Sequence, residues 1–202
     1  MKIATLTLGA YQTNCYLVWE DRCRTCAVID PGYAPDTVLA EAVALGLTVD
    51  AVLLTHGHFD HVGAVAAIVR ATGCKLWMHK GDCSTPRSSL FPLAAGDFTE
   101  ICFFENMDTV SAGGLTFTVY ETPGHTSGSV CLVCGNVMFT GDTLFAGSCG
   151  RTDFPGSDPQ AMEDSLRFLR KLQFEGRIYP GHGPASSLEE ERRTNPYLRG
   201  KI

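Results

Sequence analysis

The sequence predicts a mixed α/β fold (an α+β class), built as a four-layer αββα sandwich of two sheets with helices outside. Strand-like and helix-like segments are mixed in both halves of the chain, in the orders βββαβαβ and ββββαβα. A chain of 202 residues that is 45% hydrophobic is long enough to bury such a core. We find no short repeat, low-complexity tract or linker, so we expect one domain over residues 1–202.

The first half supplies five predicted strands and two predicted helices. A helix is expected at Pro35–Leu45, because apolar residues recur there at helical spacing and Gly46 follows as a stop. A second helix is expected at Val62–Thr72. The predicted strands are Lys2–Leu8, Asn14–Glu20, Thr25–Asp30, Ala51–Leu54 and Lys75–Met78.

The second half begins with an ambiguous segment. Gly81–Gly96 contains two prolines and is expected to be irregular or a broken helix. A helix is predicted at Asp158–Leu172, which starts with a capping aspartate and a first-turn proline, and a short charged helix at Ser186–Arg193. The predicted strands are Ile101–Phe104, Leu115–Glu121, Ser129–Cys134, Asn136–Thr140 and Arg177–Tyr179.

Charge and composition exclude several partners. The net charge of -6 and the lack of a long basic run argue against a nucleic-acid partner. No apolar stretch approaches the roughly 20 residues that a membrane span needs, so we expect no membrane partner. The start of the chain alternates like a strand rather than a signal peptide, and nine cysteines, an odd number, fit reduced thiols. We expect a cytoplasmic protein; its oligomeric state is open.

The most informative motif is Thr55-His56-Gly57-His58-Phe59-Asp60-His61. It places four metal-ligand side chains directly after a strand-like apolar run and before a helix-like segment. Imidazoles and carboxylates crowded in this way repel one another or compete for protons unless a cation organises them. The motif therefore predicts a metal centre.

Three further candidate ligands lie in glycine-rich turns after short apolar strands. They are His125, Asp142 and His182. Strand ends hold ligands rigidly, and glycine lets the backbone bend close to an ion. With the first motif they make five histidines and two aspartates, which is enough for two metal ions with open positions.

These seven residues together resemble the metal set of the metallo-β-lactamase superfamily, and the resemblance spans nearly the whole chain. Three segments, 141–145, 150–155 and 179–184, are also similar to the glyoxalase II group, the hydroxyacylglutathione hydrolases. The likeness is greatest to the short, single-domain members of that group. It implies the four-layer sandwich of the superfamily.

The resemblance also implies how the ligands are divided between two divalent ions. His56, His58 and His125 would hold one ion, Asp60, His61 and His182 would hold the other, and Asp142 would bridge both. Imidazole suits zinc, which is our first choice. The family also accepts iron and manganese, so the metal is open.

The implied activity is hydrolysis of a thioester such as S-D-lactoylglutathione to a hydroxy acid and a free thiol. A hydroxide bridging the two ions would attack the thioester carbonyl, and Asp60 would act as a catalytic residue that orients it. The leaving thiolate, whose conjugate acid has a pKa of about 8.5, needs no dedicated general acid. The expected partner is therefore a small-molecule thioester.

Two substrate-contact positions depart from the glyoxalase II pattern. Arg151 stands where those enzymes place a lysine, and Asp153 replaces an aromatic residue, so the thiol carrier is open. The segment Arg151–Phe154 is also shared with persulfide dioxygenases, which use a single iron on a similar ligand set. That group, acting on glutathione persulfide, is the main alternative. A β-lactamase is disfavoured because Asp142 is typical of the thioesterase branch, and a non-catalytic module is disfavoured because no ligand is missing.

Overall fold

A computed structural model describes residues 1–93, 96, 98 and 100–200. Its first six-stranded sheet has the order β1-β2-β3-β4-β5-β6, with β1 to β3 antiparallel and β3 to β6 parallel. The strands are β1 (Lys2–Leu8), β2 (Thr13–Trp19), β3 (Thr25–Ile29), β4 (Thr48–Leu53), β5 (Lys75–His79) and β6 (Ile101–Phe104).

The second six-stranded sheet has the order β14-β13-β10-β9-β8-β7 and is antiparallel except for the parallel pair of β10 and β13. A separate two-stranded hairpin, β11 with β12, follows β10. The strands are β7 (Thr109–Ala112), β8 (Leu115–Glu121), β9 (Val130–Cys134), β10 (Val137–Gly141), β11 (Leu144–Phe145), β12 (Ser148–Cys149), β13 (Arg177–Pro180) and β14 (Ser186–Ser187).

Three apolar clusters show that the two sheets pack face to face with helices outside. Alternate residues of β2 separate the layers: Tyr16 and Val18 join the cluster between the sheets, whereas Cys15 and Leu17 join the cluster beneath helices. A third cluster covers the outer face of the second sheet. The helices are α1 (Pro35–Ala44), α2 (Phe59–Val62), α3 (Val65–Thr72), α4 (Lys80–Cys83), α5 (Pro159–Lys171) and α6 (Leu188–Thr194).

The predicted fold class is therefore confirmed, and the differences are local. The helix predicted at Val62–Thr72 begins at Val65 as α3, and Phe59–Val62 form a separate helical turn, α2, which carries Asp60 and His61. α2 packs against the turn after β3, where a Cβ on Gly32 would lie 1.5 Å from the Asp60 carbonyl oxygen. This contact requires glycine.

Other boundaries also differ from the sequence prediction. The short strand β7 (Thr109–Ala112) was not predicted, and β4 begins at Thr48 rather than Ala51. α4 extends into the segment predicted to be irregular, of which residues 94 and 95 lie outside the described residues. Residues 201 and 202 also lie outside them, and the assignment of residues 1–202 to one domain stays a prediction.

Within the described ranges, we find no helix that is both long and apolar enough to cross a membrane.

Candidate metal centre

All seven predicted ligands converge at one edge of the sandwich. The residues after β4 and the turn α2 supply four of them from the first sheet. The β8–β9 connection, the end of β10 and the end of β13 supply one each from the second sheet. The candidate ligand residues are His56, His58, Asp60, His61, His125, Asp142 and His182.

The first group contains three buried histidines, His56, His58 and His125. Their potential ligand nitrogens all lie within 4.8 Å of one another. The Nδ1 atom of His58 is 2.8 Å from the Nε2 atom of His125. Each of the three potential donors is an imidazole nitrogen, and such a donor set suits zinc and other first-row metals.

The second group is less buried and contains a carboxylate. The Nε2 atom of His182 lies 3.3 Å from Nε2 of His61 and 3.3 Å from Oδ2 of Asp60. The Nε2 atom of His61 is 3.7 Å from the same Asp60 oxygen. Three donors from two sheets thus face one small volume.

The Asp142 carboxylate lies between the groups. Its Oδ1 atom is 3.4 Å from Nε2 of His61, and its Oδ2 atom is 3.5 Å from Nε2 of both His125 and His182. Two donors held tetrahedrally at about 2.0–2.1 Å from one ion lie about 3.4 Å apart, so these separations match shared ions.

Unpartnered buried atoms support the same assignment. Nε2 of His56, Nε2 of His58 and Oδ1 of Asp142 have no hydrogen-bond partner in the described structure. An orphaned buried acceptor costs about 1–3 kcal/mol, and a metal ion bound to His56 and Asp142 would remove that cost. The residues present therefore fit bound metal ions, although the donor set does not choose among zinc, iron and manganese.

A buried carboxylate that was not predicted orients the loop after β4. Asp30 is 1% exposed and accepts hydrogen bonds from the Thr55 backbone nitrogen (2.8 Å) and the Thr55 hydroxyl (2.6 Å). Its Oδ2 atom is also 3.0 Å from Nδ1 of His61, which leaves Nε2 of that ring facing the site. The available signal was its place at the end of β3, next to β4.

Backbone carbonyls orient the two candidate histidine ligands of the second sheet. Nδ1 of His125 donates to the carbonyl oxygen of Arg151 (2.8 Å), and Nδ1 of His182 donates to that of Tyr11 (3.1 Å). Each bond fixes the ring and directs its Nε2 atom into the site.

A second carboxylate that was not predicted ties two ligand loops together. Asp82 is 3% exposed and accepts hydrogen bonds from Gly57 N (2.7 Å), Thr126 Oγ1 (2.8 Å) and Gly128 N (2.8 Å). These donors flank His56, His58 and His125. Asp82 lies on α4, in the segment predicted to be irregular, and no pattern in the sequence marked it.

The ionisation of the metal-free site differs between the histidines. Burial and the neighbouring imidazoles lower the pKa of His56 well below its usual value and lower that of His58 to about 3. Burial also acts to lower the pKa of His61, but Asp142 and Asp30 outweigh it and raise that pKa to about 9. His61 therefore carries a proton at neutral pH that a metal ion must displace.

The Asp60 carboxyl is the most acidic group of the second set. Burial acts to raise its pKa, but the hydrogen bond with His182 and the nearby charge of His61 outweigh burial and lower it. Asp60 is thus a carboxylate at neutral pH, and its Oδ2 atom also accepts a hydrogen bond from the Thr13 hydroxyl (3.2 Å).

A cavity of about 390 Å³ opens onto the ligands. Apolar side chains, polar side chains and one cation line it. Tyr11 and Phe59, whose rings meet edge to face at 5.1 Å, lie at its mouth. The lining residues other than ligands are Tyr11, Phe59, Leu90, Phe145, Ser148, Cys149, Arg151 and Phe154.

The two predicted substrate contacts form a pair at the rim. Arg151 lines the cavity and donates to both carboxylate oxygens of Asp153, over 2.6 Å and 2.7 Å. Its guanidinium also lies 4.2 Å above the Phe154 ring. Both charged side chains are exposed, so the pair holds the cation in place but leaves it open to competition from an anionic ligand.

A family model of the metallo-β-lactamase superfamily matches residues 8–182, and the chain belongs to that superfamily. With this fold, the His/Asp cluster is a site that can bind metal ions. A relative, the hydroxyacylglutathione hydrolase GloC of Haemophilus influenzae, is 32% identical over 212 residues and is matched over 100% of both chains.

Solved structures agree with this assignment. The BLEG-1 B3 metallo-β-lactamase is 30% identical with a TM-score of 0.87, covering 98% of this chain and 99% of that one. TTHA1623 in a di-iron-bound form is 38% identical with a TM-score of 0.84, covering 96% and 99%. ETHE1 from Myxococcus xanthus is 32% identical with a TM-score of 0.84, covering 99% and 85%.

Proposed function

We propose that this protein is a binuclear metal-dependent hydrolase that cleaves a thioester such as S-D-lactoylglutathione. The observation that carries the proposal is the position of Asp142, which lies within 3.5 Å of histidines from both ligand groups. The full-length similarity to a hydroxyacylglutathione hydrolase supports the substrate class. The partner is then a small-molecule thioester.

The ligands divide as the two groups do. His56, His58 and His125 would hold one ion, and Asp60, His61 and His182 would hold the other, with Asp142 reaching both. Two bound divalent ions supply a hydroxide nucleophile at neutral pH and a Lewis acid for the carbonyl oxygen. Zinc is the first choice of metal, and iron is supported by the di-iron-bound TTHA1623.

The chain's own groups bind and orient the reactants. Asp60, an ionised carboxylate fixed by Thr13, accepts a hydrogen bond from the attacking nucleophile and so aims its lone pair at the carbonyl. Phe59 and Leu90 line the cavity with apolar side chains, which would keep water from an acyl group bound beside them. Arg151 at the rim attracts an anionic thiol carrier. The carrier then replaces Asp153 as the partner of the guanidinium.

A persulfide dioxygenase with one iron is the second candidate, and the rim favours it. The segment Arg151–Phe154 resembles the one in those enzymes, and here Asp153 and Phe154 both contact the Arg151 guanidinium. In that case only one of the two groups would hold an ion, which separates the candidates by metal count.

One set of measurements decides between them. The purified protein is analysed for metals and then assayed for hydrolysis of S-D-lactoylglutathione, oxygen uptake with glutathione persulfide, and hydrolysis of a β-lactam. Two metals per chain with thioester hydrolysis support the proposal. One iron with oxygen uptake supports the dioxygenase, and β-lactam hydrolysis alone would contradict both.

A further inference from the structure

A buried polar pair lies at the C-terminal helix, outside the metal centre. Glu191 on α6 is 2% exposed, and Asn195, which follows that helix, is 0% exposed. The Asn195 side-chain amide donates to Glu191 Oε2 over 2.8 Å. Burying two polar side chains together is costly unless their hydrogen bonds are made, so the partners of this pair show what it holds.

Three of those partners are backbone groups of the β11–β12 hairpin, residues 144–149. The Gly147 amide donates to Glu191 Oε2 over 2.8 Å. The Asn195 side-chain amide also lies within hydrogen-bond distance of the carbonyl oxygens of Phe145 (3.2 Å) and Ser148 (2.9 Å). The pair therefore grips both arms of the hairpin and its turn.

This hairpin is a wall of the substrate cavity. Phe145, Ser148 and Cys149 all line the cavity. The Phe145 ring also lies edge to face with the ring of the candidate ligand His182, at 6.1 Å between centroids. The β11–β12 hairpin therefore connects α6 to the cavity in which a substrate would bind.

The ligand Asp142, just before the hairpin, is anchored by other groups. Thr140 Oγ1 donates to the Leu144 carbonyl oxygen over 2.7 Å, and the Thr143 and Thr122 hydroxyls are 2.9 Å apart. The start of the hairpin is therefore fixed by β10 and its neighbours, whereas its tip depends on α6.

We propose that Glu191 and Asn195 are positioning residues that hold the β11–β12 hairpin as a fixed wall of the cavity. They set how tightly the substrate binds without touching it or the metal ligands. The role in substrate binding rests on the proposed thioester hydrolase; the grip on the hairpin does not.

The hydrogen bonds by which Glu191 holds the hairpin require acceptor atoms rather than a charge. Oε2 of Glu191 accepts from two N–H groups, and Oε1 accepts from the Ser186 hydroxyl over 2.5 Å. A glutamine at this position keeps an oxygen for the first two donors, and its amide can donate to the Ser186 hydroxyl after that group rotates. Alanine supplies neither.

The test compares Asn195→Ala and Glu191→Ala with Glu191→Gln in the metal-loaded protein. Thr194→Ala and Glu189→Gln, at exposed positions of the same helix, are the matched controls. Hydrogen exchange of residues 144–149 measures the grip. The KM and kcat for S-D-lactoylglutathione and the metal content measure its consequence.

We expect the two alanine variants to exchange the Gly147 amide about tenfold faster and to raise KM about tenfold, with kcat and metal content unchanged. Glu191→Gln and both controls should match the parent protein. Unchanged exchange in the alanine variants would overturn the grip. Faster exchange with an unchanged KM would overturn its role in substrate binding.

A further variant separates this role from general instability. Phe145→Ala removes a wall side chain but keeps every backbone bond of the hairpin, so KM should rise while exchange stays unchanged. If Asn195→Ala does not fold, Glu191→Ala and Phe145→Ala carry the test. An unchanged KM in Phe145→Ala overturns the wall. A parent protein without thioesterase activity refutes the proposed function, and the exchange data still test the grip.

Discussion

The two sheets contribute to the candidate metal centre in different ways. The first sheet supplies four candidate ligands from the single segment Thr55–His61, which rests on two buried carboxylates, Asp30 and Asp82. The second sheet supplies His125, Asp142 and His182 from three separate connections, and its histidines are oriented by backbone carbonyls.

The difference shows where the centre is sensitive to side-chain changes. A segment held by carboxylates loses its orientation when one acid is replaced. A histidine held by a carbonyl oxygen does not depend on which side chain the supporting residue carries. Substitutions beneath the first sheet's segment should therefore be costly, and those at Tyr11 and Arg151 should spare the metal.

The largest effect is expected where the two contributions meet. Asp142→Ala removes the carboxylate between both groups, so the protein should lose binuclear metal binding and at least about a thousandfold in kcat/KM. Metal analysis and thioester assays measure the two losses together. Retained turnover with two ions still bound would contradict the bridging role.

The pH dependence of metal binding tests the protonation of His61. His61, with its pKa raised to about 9, is protonated at neutral pH, and an ion must displace that proton. Apparent affinity should therefore rise by up to about tenfold per pH unit as the pH increases toward 9. Calorimetry in buffers of different ionisation enthalpy measures the released protons.

The Asp30→Asn variant is the control for that curve. Because Asp30 is one of the acids that raise the His61 pKa, its loss should move the rise in affinity to lower pH. The same variant should weaken metal binding by about 10–100-fold above that range. An affinity independent of pH in the parent protein would refute the assignment of the proton.

A smaller effect is expected at the second carboxylate. In Asp82→Asn the new amide cannot accept from both Gly57 and Gly128, so one buried N–H loses its partner. The free energy of unfolding should fall by about 1–3 kcal/mol. Urea unfolding measures it, with the exposed Asp164→Asn as the control; equal values for the two variants would show that Asp82 does not hold the loops.

The smallest effect is expected at the residues whose carbonyls orient histidines. Tyr11→Ala and Arg151→Ala keep those carbonyls, so metal affinity should change by less than about threefold. Arg151→Ala should still raise KM for an anionic thioester. Competition with a chelator measures the affinity, and a large loss of metal in either variant would break the contrast between the two sheets.

Spacing in the sequence predicted much of the candidate site, because most of the residues that the structure brings together stand out in the sequence. His56, His58, Asp60 and His61 are crowded within one motif, and no apolar core explains them. The single ligands, such as His182, were found only through their glycine-rich turns and the resemblance to a family. The strands of both sheets could be predicted because apolar residues alternate along them. The same alternation buries one face of each strand when the sheets pack.

The supporting residues could not be predicted, because their partners are distant in sequence. Asp30 was predicted only as the last residue of a strand, although it bonds Thr55 and His61. Glu191 was predicted to lie on a short charged helix. In the structure it is buried and bonds a hairpin that lies more than forty residues earlier in the sequence. Such roles depend on tertiary contacts that no local pattern encodes.

The division of ligands between the sheets has a consequence for synthesis of the protein. His182 follows β13, so a nascent chain carries the histidine-rich segment long before His182 is added. Ions held by both groups would then join the two sheets, so metal binding would stabilise the docked sheets only after β13 has been made.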